Sequence, residues 1–186
     1  MKHLIFAPFL LGFISPVFAD SWKDIQDLTK LIESNNTNVS FSEKCKENNL
    51  GHYQPNKRIK DEIVICSNNI IVDDPSEIWE ILAHEATHAM QACNNYSPLY
   101  KSKYHSRILR QLKSNAPHLA MILKEYRGKD KILELEAFEM ELLTPEEVKE
   151  LYEYYCLNQD SEIADENSQG LTDDQVKILE KKVFSI

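Results

Sequence analysis

The segment Ile81-Leu82-Ala83-His84-Glu85-Ala86-Thr87-His88-Ala89-Met90 decides how the rest of the sequence is interpreted. Residues four apart on an α-helix lie on one face, one turn above the other, so His84 and His88 can both face one metal ion. Neutral imidazole nitrogens are common ligands of Zn²⁺. Glu85 is displaced by one position, so its carboxylate lies beside the ion, where a general base for water belongs. The spacing therefore predicts a zinc site with hydrolytic chemistry.

The residues before this segment predict the start of a helix. Asp74 is a good N-cap, Pro75 suits the first helical position, and Glu77 resembles the second half of a capping box. Apolar residues then recur at helical spacing until Asn94-Asn95, so we expect one helix over residues 75–94. The alternative is a chance match of three residues or a pair of surface histidines. A capped, amphipathic helix makes that alternative the weaker one.

The N-terminus has the pattern of a cleavable secretory signal peptide at residues 1–19. Lys2 gives a basic start, residues 4–18 are almost all apolar, and Val17-Phe18-Ala19 resembles a cleavage site. A membrane anchor is the alternative, but the run is shorter than the roughly 20 residues that span a bilayer, and Pro8 and Pro16 interrupt it. We therefore expect a secreted or periplasmic protein with no membrane contact after cleavage.

Composition limits the classes of partner. The chain has 186 residues, with 21 basic and 30 acidic ones and a net charge of −9. This length suits one domain that buries its own core. An acidic protein lacks the positive surface that binds nucleic acid. We therefore expect no nucleic-acid partner, and we interpret the charge as serving solubility.

Four cysteines, an even number, lie in the part of the chain that would be exported. This indicates two disulfides, for which there are three connectivities. We favour Cys45–Cys66, which closes a local hairpin-like region, and Cys93–Cys156, which ties the motif helix to a later helix. A four-cysteine zinc site is disfavoured because no C-x-x-C spacing occurs.

The pattern of elements predicts an α+β fold that is mostly α-helical, with a small β-sheet before the motif helix. An amphipathic helix is expected at residues 22–34 and a loop at residues 35–38. Strands are expected at residues 51–54, 62–66 and 70–72. An edge strand just before the motif helix can pair with an extended peptide. Later helices are expected at residues 99–112, 117–126, 130–143, 145–156 and 172–184. A polar, acidic linker occupies residues 158–170, so the globular domain should cover residues 20–157, with the linker and last helix at 158–186.

A zinc site of this kind needs a third protein ligand. The metzincin pattern fails, because Gln91 and Asn94 stand where its Gly and third His belong. His105 or His118 would serve, although single helical histidines are more often surface residues. Helical phase favours Glu136, which falls among apolar residues, where an unpaired carboxylate is costly unless it binds something.

A downstream helix carries the pattern Glu-x-x-Ala at Glu134-Leu135-Glu136-Ala137, and the run ends in Leu142-Leu143-Thr144-Pro145. This resembles the third-ligand helix of gluzincin-type zinc peptidases and is especially similar to the ImmA/IrrE metallopeptidases. Phe138 stands where those peptidases usually have Asp or Asn. The resemblance covers the two motif helices and implies a zincin-like fold with Glu134 as the third zinc ligand. Glu136 remains the alternative that helical phase favours.

The predicted function is that of a secreted zinc-dependent metallopeptidase acting on a peptide or protein. Glu85 would take a proton from the attacking water and deliver it to the leaving amine. Candidates for stabilising the oxyanion, chosen only because they follow the motif, are Tyr96, Tyr100, Tyr104 and His105. Two alternatives stay open: a catalytically inactive zincin-fold binding domain, and a zinc amidase acting on cell-wall material.

Overall fold

The computed structural model describes residues 22–56 and 58–158. The predicted signal peptide at 1–19, the last predicted helix and nearly all of the acidic linker lie outside these residues. The described part forms six α-helices, three strands and two short helical turns. They are α1 (Trp22–Ser34), β1 (Thr37–Phe41), β2 (Gly51–Gln54), β3 (Asp61–Ile65), α2 (Pro75–Cys93), α3 (Ser102–Asn115), α4 (Pro117–Ile122), a 3₁₀ turn (Leu123–Glu125), α5 (Gly128–Met140), α6 (Pro145–Tyr152) and a π-helical turn (Glu153–Leu157).

The three strands form one sheet in the order β1-β3-β2. β1 runs parallel to β3, with Val39 opposite Ile63, and β2 runs antiparallel to β3, with His52 opposite Val64. β2 is thus an edge strand. The expected α+β class, mostly helical with a small sheet before the motif helix, is confirmed.

Two of the three predicted strands are confirmed, and the third is wrong. Residues 70–72 form no strand: Ile71 and Val72 are exposed in the turn that leads into α2. The third strand of the sheet is β1, part of which was expected to be loop. Asn38 has weak strand propensity, and β1 is stabilised by parallel pairing with β3, which is distant in sequence. Asn36, with φ of 57°, makes the turn between α1 and β1.

The helices fall close to their expected positions, with shifts at their ends. α1 has the predicted bounds, and the capping box of α6 is present: Thr144 Oγ1 accepts from Glu147 N–H while the Glu147 carboxylate accepts from Thr144 N–H. α3 starts three residues late, at Ser102, and the N–H groups of Leu99 and Tyr100 in the preceding loop donate to the carboxylate of Glu136. α5 starts early, at Gly128, whose φ of 57° suits a residue without a side chain.

The core consists of two clusters of buried apolar residues. The larger cluster joins α1, the sheet, α2 and α6, and includes Leu28, Ile63 and Leu82. The smaller one lies among α3, α4 and α5, and includes Leu112 and Phe138. α2 contacts α1, β2, β3, α5 and α6, so it lies at the centre of the molecule. The helix that carries His84 and His88 is therefore fixed by packing on several sides.

Both expected disulfides are present. Cys45 and Cys66 join the loop after β1 to the end of β3, with Cα atoms 5.6 Å apart. Cys93 and Cys156 join the last residue of α2 to the π-helical turn, with Cα atoms 5.4 Å apart. Across residues 22–56 and 58–158, none of the helices has the length and apolar character needed to cross a membrane.

Candidate metal centre

The local sequence fixes the start of α2 as expected, with one difference. Asp74 accepts a hydrogen bond from the N–H of Ser76 at 2.9 Å, and Pro75 occupies the first turn. Glu77 does not close a capping box with Asp74. Its carboxylate accepts instead from the N–H of Ile71 at 2.8 Å, and so fastens the incoming turn to the helix. The result is a helix whose register is set two turns before the histidines.

His84 and His88 face a common partner, Glu134 on α5. The Nε2 atoms of His84 and His88 lie 3.3 Å and 3.6 Å from the two carboxylate oxygens of Glu134. One ligand atom from each of the three residues falls within a group whose members are all within 4.8 Å of one another. The structure therefore brings together the two histidines and the carboxylate that the resemblance indicated.

The second ring nitrogen of each histidine is also held. His84 donates from Nδ1 to Glu141 at 2.7 Å, and His88 donates from Nδ1 to the side-chain oxygen of Gln91 at 2.9 Å. With the proton on Nδ1, the lone pair of a neutral imidazole lies on Nε2, which is the atom that faces Glu134. Such partners orient the histidine ligands of metal sites in general.

The sequence analysis gave no role to Glu141 or Gln91 as partners of the histidines, although their spacing along the helices places them on the right faces. Glu141 follows Glu134 by seven residues, which is about two helical turns, so both project to the same side of α5. Gln91 follows His88 by three residues and shares its face of α2. Phe138, whose ring centre lies 5.1 Å from that of His84, packs edge-on against this imidazole.

The charges around His84, His88 and Glu134 favour a cation between these three side chains. Burial alone would lower the pKa of His84, but hydrogen bonds to Glu134 and Glu141 raise it to about 10. Burial and the charge of His84 lower the pKa of His88. Burial also raises the pKa of Glu141, because a buried carboxylate is costly to ionise. The surrounding carboxylates therefore stabilise a cation here.

This donor set fits a zinc ion. Donors at about 2.0–2.1 Å from a tetrahedral zinc lie roughly 3.3–3.4 Å from each other, on ordinary zinc–nitrogen and zinc–oxygen bond lengths. The separations of 3.3 and 3.6 Å between the histidine nitrogens and the Glu134 oxygens agree with that spacing. Three ligands from protein side chains, two of them histidines, also leave a fourth position for water or substrate.

Glu85, on α2, is 6% exposed, and its side chain lies next to β2. Burial raises its pKa to about 7, the charge of His84 opposes this shift, and the N–H of Tyr53 stabilises the ionised form. Gly51 permits the close approach of β2, because a Cβ there would lie 2.6 Å from Ile81 Cγ2 and 3.3 Å from Glu85 Cγ. Glu85 is thus held beside the histidines, in contact with the edge strand and outside the three-residue group.

Glu136, the alternative third ligand, is not in the group that contains the histidines. It is fully buried and accepts from His105 Nε2 at 2.9 Å and from the N–H groups of Leu99 and Tyr100 at 2.8 and 3.0 Å. The buried carboxylate that helical phase singled out therefore has protein partners.

Three of the four oxyanion candidates chosen from sequence order have other partners. Tyr100 and Tyr104 pack against the apolar clusters, and His105 is bonded to Glu136. Tyr126, which sequence order did not suggest, does lie nearby. Its ring packs edge-on against Phe138 with centres 6.5 Å apart, and burial followed by the charges of Glu134 and Glu85 raises its pKa.

Comparison with known proteins identifies a family and no activity. No curated protein and no solved structure matches the chain. A family model described as a domain of unknown function matches residues 13–157, which include every residue of the candidate centre and all four cysteines. The chain therefore belongs to this family, DUF8637.

Proposed function

We propose that the protein is an exported zinc-dependent peptidase with a zincin-like domain. The observation that carries the proposal is the convergence of His84 Nε2, His88 Nε2 and the Glu134 carboxylate, with Glu85 next to them and outside the ligand set. A purely structural zinc site is usually closed by four protein ligands, and it needs no neighbouring base. Three ligands with a buried, separate carboxylate favour hydrolysis over binding alone.

In this proposal His84, His88 and Glu134 hold the zinc ion. Bound zinc would lower the pKa of a coordinated water to about 7 and polarise the carbonyl group under attack. Glu85 would accept the proton of the attacking water and pass it to the leaving amine. Glu141 and Gln91 would keep Nδ1 of each histidine protonated, so that Nε2 faces the ion. Tyr126 would donate a hydrogen bond from its hydroxyl group to the developing oxyanion.

A peptide substrate is supported by the position of β2. In the antiparallel ladder Cys66 N–H donates to Leu50 C=O, so the alternating pattern turns the backbone groups of Gly51 and Tyr53 away from β3. Tyr53 N–H is directed at Glu85. The other outward groups, the N–H and C=O of Gly51 and the C=O of Tyr53, are those with which an extended chain would pair, next to Glu85.

Metal content tests the proposal first. The oxidised mature protein should contain one zinc ion per chain by mass spectrometry. His88→Ala should lose it, whereas the matched control His118→Ala should keep it, since His118 is outside the ligand group. Zinc that survives the combined His84→Ala and His88→Ala changes would refute the site.

Activity is then measured on an unbiased peptide library, with and without a chelator. We expect cleavage that the chelator abolishes and that added zinc restores. A protein that binds zinc through these residues but cleaves only cell-wall amides would be the amidase. One that binds zinc and cleaves nothing would be the binding domain.

A further inference from the structure

Both carboxylate oxygens of Glu136 accept hydrogen bonds from groups inside the protein. One oxygen accepts from Tyr100 N–H at 3.0 Å and His105 Nε2 at 2.9 Å. The other accepts from Leu99 N–H at 2.8 Å and from the side-chain nitrogen of Gln91 at 3.1 Å. The last of these bonds links the carboxylate to the candidate metal centre, because Gln91 also contacts His88.

The amide of Gln91 has only one orientation that satisfies its neighbours. Its nitrogen donates to two acceptors, Glu136 and the carbonyl oxygen of Leu133 at 3.0 Å. If the amide turned over, its oxygen would face both of these acceptors and no donor, and a buried polar atom would be left unpaired. The amide oxygen must therefore face His88, so Nδ1 of His88 must carry the proton.

We propose that Glu136 is a positioning residue, which fixes the tautomer of His88 through Gln91. The inference rests on the proposed function for its consequence, since the Nδ1–H tautomer leaves the Nε2 lone pair for zinc. A free histidine has no such constraint. Glu136 also holds the loop from Asn94 to Lys101 through the N–H groups of Leu99 and Tyr100, so one buried carboxylate organises the end of α2 and the loop after it.

A merely structural role for Glu136 predicts different behaviour from a positioning role. In the structural case, substitution would destabilise the fold and leave the histidine unaffected. Two variants separate the cases. Glu136→Gln replaces an all-acceptor group by one that also donates, so it cannot accept all four bonds. Gln91→Met removes the bonds of the Gln91 amide to His88, to Glu136 and to the carbonyl oxygen of Leu133. It leaves the other three bonds of Glu136 in place, which keeps the test usable if Glu136→Gln does not fold.

Tyr155→Phe is the matched control. The Tyr155 hydroxyl is buried and donates to the carbonyl oxygen of Leu99, so it holds the same loop without using Glu136 or Gln91. This variant should lower the melting temperature and leave the histidines unchanged. Tyr155→Phe therefore measures how a loosened loop from Asn94 to Lys101 affects the tautomer of His88 and the zinc affinity when Glu136 and Gln91 are intact.

The experiment records the tautomer of His88 by ¹⁵N NMR of the imidazole in the metal-free full-length mature protein, and the zinc affinity by competition with a chelating dye. Wild type and Tyr155→Phe should show the Nδ1–H form. Gln91→Met and Glu136→Gln should shift His88 towards the Nε2–H form, and each should bind zinc about 10–100-fold more weakly, the usual effect of losing an outer hydrogen bond to a ligand. The double variant should lose no more than the worse single one, because both changes break one chain of bonds.

An unchanged tautomer in Gln91→Met, or an equal loss of zinc affinity in Tyr155→Phe, would overturn the inference. A wild type that binds no zinc would defeat the proposed function alone. The tautomer measured in the metal-free protein would still decide whether Glu136 positions His88.

Discussion

Glu139→Gln tests a buried carboxylate of α5. Glu139 is 5% exposed, and its Oε2 atom has no hydrogen-bond partner among the described residues. Burial raises its pKa to about 7, against the opposing charge of Arg107 on α3 and with the help of Glu147 on α6. Burial raises the pKa of the nearby Tyr100 hydroxyl, and the charge of Glu139 adds to this shift.

The sign of the effect follows from where the proton is held. From the usual pKa of 4.5 up to about 7, folded Glu139 keeps a proton that the unfolded chain has released. The free energy of unfolding therefore falls as the pH rises through this window. At 1.36 kcal/mol for each pKa unit, the loss reaches about 3 kcal/mol. Glutamine has the shape of the protonated acid, so Glu139→Gln should match the wild type at pH 4. It should exceed it by up to about 3 kcal/mol at pH 8.

Urea unfolding at a series of pH values, with chelator present throughout, measures this difference. Arg107→Gln provides a second test: in the wild-type background it should steepen the loss of stability with pH, because it removes the opposing charge. In the Glu139→Gln background it should add no pH dependence of its own from this pair. A stability difference between Glu139→Gln and wild type that is the same at pH 4 and pH 8 would refute the reasoning.

The remaining predictions concern the candidate centre and its support. Glu85→Gln should leave zinc content and melting temperature nearly unchanged, while turnover of an identified substrate falls about 10²–10⁴-fold. Full activity of this variant would exclude Glu85 as the general base. Glu141→Gln should weaken zinc binding about 10–100-fold in a dye competition, whereas Glu134→Gln should abolish it; equal losses would contradict their separate roles. Replacing Cys93 and Cys156 by serine should cost about 3–5 kcal/mol in urea unfolding, as expected for a loop of this length; a loss below 1 kcal/mol would show that the reduced chain is already constrained.

Sequence reasoning succeeded where the determinants are local. The N-cap at Asp74, the apolar repeat of α2 and the capping box at Thr144 each act over a few residues, and all three helix starts or faces appear as expected. β1 was missed because its pairing partner, β3, is distant in sequence and because its own residues are largely polar. The strand expected at residues 70–72 failed for the opposite reason: apolar composition alone does not provide a partner.

Helical phase could not decide which carboxylate of α5 faces the histidines, because α5 is buried on more than one side. It contacts both α2 and α3, so Glu134 and Glu136 both have an interior to face. Phase identified a carboxylate among apolar neighbours, and Glu136 is that residue, but its partners are backbone N–H groups, Gln91 and His105. Which carboxylate meets the histidines depends on the packing of two helices, and one helix viewed alone does not contain that information.

The order of strands in the sheet has a consequence for how the molecule assembles. β2 and β3 pair antiparallel and are separated in sequence only by residues 55–60, so few residues must be ordered before they pair. β1 must cross over to the far side of β3 in parallel, across a longer loop, which costs more chain entropy. We expect pulse-labelled hydrogen exchange to protect β2 and β3 before β1. β2, the strand that contacts Glu85, would then form in the first step of sheet assembly. An error in the pairing of β1 would leave the contact between β2 and Glu85 intact.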